Sequence, residues 1–131
     1  MLRALFEEYA KEQGFHCQVE SAGLYVTDGK ISPYAEKMLL DCGICVQNQN
    51  TTVLDKALVD SSDLIVAVDG FVADKIARLG AGGKVYSLGS PLLLGEDLTD
   101  PYGKGVEAYA QTFDKAKSAL PKILDLARLV V

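Results

Sequence analysis

Apolar residues recur at helical spacing along the first stretch of the chain. Leu2, Leu5, Phe6, Tyr9 and Ala10 share one face, and Gly14 supplies a stop. Phe15, Cys17 and Val19 then alternate with His16, Gln18 and Glu20, the period of two of a half-buried strand over residues 15–20. Residues 21–31 read as a loop with Gly23 and Gly29. Ser32 and Pro33 make an N-cap and a proline at the first helical position. Tyr34, Met38 and Leu39 line the helix they open, Glu36 complements its positive end, and Gly43 closes it. Residues 53–59 suggest a short helix. Leu64, Ile65, Val66, Ala67 and Val68 form the unbroken apolar run of a parallel strand covered on both faces. A helix over 71–79, followed by Gly80, Gly82 and Gly83, leads to a third strand over 84–88. Residues 90–105 form a long loop of the size that carries function. The spacing beyond it predicts a long helix over 105–131, kinked or broken at Pro121.

Strands alternating with helices predict an α/β fold built on a parallel sheet, as one domain over residues 1–131. The alternation starts in the wrong place. A helix at residue 1 has no cap and no strand feeding it, although parallel sheets are assembled from strand–helix–strand units. One further strand, and the turn out of it, is expected ahead of Met1. Without it, exposed sheet edges open a route to self-association.

Composition narrows the function. With 131 residues, the chain can bury about two-thirds of its unfolded surface. A net charge of −5 argues against a general surface for nucleic acid or an anionic membrane, since both need basic stripes, though a small anion site of backbone N–H groups stays open. No apolar run reaches the roughly 20 residues of a membrane helix. Glu7 and Glu8 interrupt the opening apolar stretch, so it does not read as a signal peptide. Three cysteines, an odd number, fit free thiols in the cytoplasm.

Two segments could carry chemistry. In Asp100-Pro101-Tyr102-Gly103 the proline holds Asp100 extended, as suits a general acid placed over a pocket, with Tyr102 as a flat wall for an aromatic substrate. Read locally, it is first of all an Asp-Pro turn. Ser21-Ala22-Gly23 falls where ligands of open α/β sheets bind, and in isolation reads as turn chemistry.

Taken in order, these pieces form a pattern. Val19-Glu20-Ser21-Ala22-Gly23, Gly29, Pro33, Leu39 through Gly43-Ile44, Asp63-Leu64-Ile65-Val66, Val68-Asp69, Asp100-Pro101-Tyr102-Gly103 and Glu107-Ala108-Tyr109 follow one another along nearly the whole chain. This succession resembles the low-molecular-weight protein tyrosine phosphatases. Even residues 2–11 are similar to the helix that follows that family's catalytic loop.

The resemblance implies a three-layer α/β/α parallel sheet whose first, central strand is missing here. In the complete form that strand leads into a cysteine, five residues and an arginine, a loop whose N–H groups bind phosphate. The thiolate attacks phosphorus of a phosphotyrosine protein or small aryl phosphate, and the loop aspartate protonates the leaving phenol. By motif that acid is Asp100, Tyr102 and Tyr25 flank the substrate ring, and Ser21 supports the loop. No cofactor or metal enters.

This sequence departs from that pattern. Six positions after Cys17, Cys42 and Cys45 stand Gly23, Asn48 and Thr51, so no cysteine has its arginine. Residues 47–52 also lack the His and Arg common there in the family. An N-terminally truncated phosphatase, inactive alone, is the first expectation, and a catalytically silent binding or structural domain the alternative.

Other readings fit less well. Cys42-Gly43-Ile44-Cys45 has redox-pair spacing but closes a helix, where such pairs open one. His16 and Cys17 point to opposite faces of a strand and cannot readily join Cys42 and Cys45 on zinc, so His16 is expected in solvent. An arsenate reductase of this fold needs further cysteines near residues 69–76, where there are none. Asp69 is similar to a receiver phosphoacceptor, yet reads better as the cap of the helix near Gly70.

Overall fold

A computed structural model describes residues 2–23, 33–44, 52–98 and 105–130. The chain divides into two compact units, one of Met1–Val53 with Asp100–Leu120, the other of Leu54–Thr99 with Pro121–Val131. The described residues are α/β, with four short strands in two parallel pairs.

In the first unit, α1 (Leu2–Glu12) buries Ala4, Leu5, Phe6 and Ala10, close to the expected stripe. Its end shows why Gly14 was needed. Gly14 sits at φ 71°, which lets its N–H donate to the Lys11 carbonyl (3.1 Å) and the Phe15 N–H to the Ala10 carbonyl (2.8 Å). This double closure satisfies carbonyls that the last helical turn leaves open. The short strand β1 (Ala22–Gly23) follows. The helix α2 (Pro33–Asp41) buries Ala35 and Leu39 and ends with the same closure, Gly43 at φ 79° and the Ile44 N–H on the Leu39 carbonyl (2.8 Å). Next, β2 (Thr52–Val53) pairs with β1 in parallel, Ala22 beside Thr52 and Gly23 beside Val53.

The strand expected over residues 15–20 is not formed. Among the described residues, the backbone groups of 16–20 have no backbone partner, and pairing begins only at Ala22. Alternation sorts side chains between two faces, but a ladder also needs a neighbour, and none of the described strands runs beside residues 15–20.

The second unit opens with α3 (Lys56–Ser61), not with a helix from Val53. Val53 lies in β2, and Asp55 starts the helix by accepting a hydrogen bond from the Leu58 N–H (2.8 Å). The apolar run then yields β3 (Ile65–Ala67), followed by α4 (Gly70–Arg78) and β4 (Val85–Ser87). β3 and β4 are parallel, with Ile65 beside Val85 and Ala67 beside Ser87. Their core is Val59, Ala67, Ile76 and Ala81, with Leu54, Val72 and Leu79 packed against it.

The helix α5 (Val106–Val130) buries Tyr109, Thr112, Phe113, Ala116, Ala119, Leu120, Ile123, Leu124 and Ala127, a stripe at three- and four-residue steps. Of the kink or break expected at Pro121, the break is not found, and the helix runs on through the proline. The proline is exposed and removes one donor, to the Lys117 carbonyl, while buried residues on either side of it hold the helix. The boundary between the two units falls at this proline. No described helix is long and apolar enough to cross a membrane.

Candidate functional site

Parallel strands place their carboxyl ends on one edge, where the loops of α/β proteins gather chemistry. In the second unit that edge is built from the ends of β3 and β4. Asp69, just past β3, accepts a hydrogen bond from the Val72 N–H (2.8 Å) and so caps α4, the structural role expected of it. Val68 accepts from the Leu98 N–H (2.9 Å), which ties the middle of the long loop to the end of β3.

The loop between these ties is folded on itself. The Leu88 N–H continues the ladder onto the Ala67 carbonyl (2.8 Å), and Ser87 Oγ accepts from the Gly89 N–H (3.1 Å). Ser90 turns the chain by accepting at its carbonyl from the Leu93 (2.9 Å) and Gly95 (3.0 Å) N–H groups. Leu88 and Leu93 are wholly buried. From α5, Lys122 Nζ donates to the Leu93 carbonyl at 2.7 Å. Gly89 meets Asp97 so closely that a Cβ there would lie 2.6 Å from the carboxylate Oδ1. None of these loop contacts was legible in the sequence except as a long segment with Pro and Gly. The well-tied part ends at Leu98, and Asp100, Tyr102 and Tyr25 lie outside the described residues.

In the first unit Ser21 is exposed and directly precedes β1, so the structure leaves it at the edge of the short parallel pair. Tyr109 is buried on α5 with its ring centroid 5.4 Å from that of Tyr34. A shallow groove runs between the α1 residues Arg3, Glu7 and Lys11 and the unpaired segment 15–20. Arg3 and Glu7 form an ion pair at 3.2 Å along the helix. His16 is exposed, as expected.

The described cysteines do not have the setting of an activated nucleophile. Cys17 is exposed as a residue, yet partial burial of its thiol raises its pKa, and the Glu7 carboxylate adds to the rise. Both causes disfavour the thiolate, the form that attacks phosphorus. Cys42 is exposed just past the C-terminal end of α2, not at a helix start, and Cys45 lies outside the described residues. Among the described residues no three His, Cys, Asp or Glu side chains converge as metal ligands do.

Known proteins share this arrangement. A family model described as low molecular weight phosphotyrosine protein phosphatase matches residues 1–130. A protein-arginine-phosphatase of Bacillus subtilis (strain 168) is 30% identical over 135 residues, covering 94% of this chain and 84% of that protein. A low molecular weight protein-tyrosine-phosphatase, PtpB, of Staphylococcus haemolyticus (strain JCSC1435) is 26% identical over 121 residues, 89% of this chain and 85% of that one. Among solved structures, the YwlE arginine phosphatase, determined as a Cys-to-Ser mutant with a phosphorylated active-site serine, superposes with a TM-score of 0.82. It is 28% identical and covers 97% of this chain and 86% of its own. With a match over almost its whole length and parallel strands linked through helices, the chain belongs to the low molecular weight phosphotyrosine protein phosphatase family.

Proposed function

We propose that this chain is the body of a protein phosphatase that dephosphorylates protein side chains through a phosphocysteine, with nucleophile and phosphate-binding arginine supplied by a loop this sequence does not contain. The observation that carries the reading is the family match over residues 1–130, set against the absence of any cysteine followed six positions later by arginine. The phosphorylated active-site serine of the YwlE mutant supports a phosphoenzyme route in a relative. On this reading Asp100 is the general acid, Tyr102 and Tyr25 flank the leaving group, and Ser21 supports the phosphate loop. The cytoplasm, with its reduced thiols, is the compartment in which such a cysteine stays active.

The 131 residues alone then turn over no aryl phosphate by a cysteine-dependent route. The test compares the chain as it stands with a version carrying an upstream strand and a Cys-x5-Arg loop. Activity is expected only in the second. There Asp100→Asn should lower turnover of aryl phosphates with poor leaving groups by about a hundredfold or more. Activity of the bare chain that alkylation of Cys17, Cys42 or Cys45 abolishes would overturn the first expectation. An inactive extended version would favour a silent binding domain.

A second reading concerns the phosphorylated side chain. Of the two curated relatives, the arginine phosphatase is the more similar, at 30% against 26% identity. Phosphoarginine therefore belongs beside phosphotyrosine in the substrate panel, and the ratio of kcat/KM values for the two decides between them.

A further inference from the structure

We draw no further inference here: the strongest candidate, the loop after β4 that Lys122 of α5 and the Val68 carbonyl at the end of β3 hold at Leu93 and Leu98, carries nothing further, because the residues it would position, Asp100 and Tyr102, lie outside the described residues.

Discussion

Replacing Lys122 by methionine keeps the apolar stem on α5 but deletes the ammonium that donates to the Leu93 carbonyl at 2.7 Å. Leu93 is wholly buried and the bond bridges 29 residues of chain, so it fastens the loop after β4 to the helix rather than tightening a local turn. A hydrogen bond from a charged donor contributes roughly 1.5–3 kcal/mol. Lys122 is itself exposed, and water can take up part of the lost interaction, so a cost of about 1–2 kcal/mol is expected. For a domain of this size that lowers Tm by about 3–8 °C. The loss should also be local. Amide exchange at Leu93, Leu94 and Gly95, whose N–H groups bond within the loop, should speed up before global unfolding. Thermal melts of wild type, Lys122→Met and Lys122→Arg, combined with exchange, test this. Arginine should recover part of the stability because it can still donate. A methionine variant melting within 1 °C of wild type (about a quarter of a kcal/mol), with unchanged exchange in the loop, would refute the reasoning.

Two further outcomes can be checked directly. Asp69→Ala removes the acceptor for the Val72 N–H and should cost about 0.5–2 kcal/mol in urea denaturation, whereas Asp69→Asn keeps an acceptor and should cost much less. Equal costs would show that charge, not the cap bond, matters there. Cys17 has a raised pKa, so less of it is thiolate at a given pH and its alkylation should lag behind that of a free thiol until pH exceeds the ordinary thiol range. Glu7→Gln removes only the smaller cause, so a modest shift of the rate profile to lower pH is expected, and none at all would discard the electrostatic part.

What the sequence reveals and what it hides follows the range of each interaction. Gly14, Gly43 and Asp69 act on groups within five residues, so their roles as helix stops and cap are legible and reappear as bonds. The apolar run at residues 64–68 is legible because a strand covered on both faces has little choice of composition. Residues 15–20 show the limit of that logic, since their alternation is real but no described strand supplies the other half of a ladder. Pro121 shows another: a local rule predicts a kink or a break, and the helix continues because buried side chains on both flanks outweigh one missing hydrogen bond. Asp55 is legible as a cap three residues ahead of the Leu58 N–H, but the apolar Val53 pulls the expected helix start ahead of it. The Lys122 bond to Leu93 could not be found by pattern, because nothing near either residue points to the other. The candidate site is legible only through family resemblance, since Asp100, Tyr102 and Tyr25, to which the resemblance points, lie outside the described residues.

The close meeting of Gly89 and Asp97 bears on how this loop can diverge. Gly89 is not held to glycine by its own backbone angle. The constraint comes from a neighbour eight positions along, whose carboxylate occupies the space a methyl would need. Substitutions at the two positions are therefore expected to be coupled. Alanine at 89 forces the Asp97 side chain to swing aside, but should be nearly neutral once residue 97 is alanine or glycine. A double-mutant cycle should show that non-additivity as an interaction energy of about 0.5 kcal/mol or more. Order matters along such a path: change at 97 opens the way for change at 89, while the reverse order requires the exposed Asp97 side chain to give up its place.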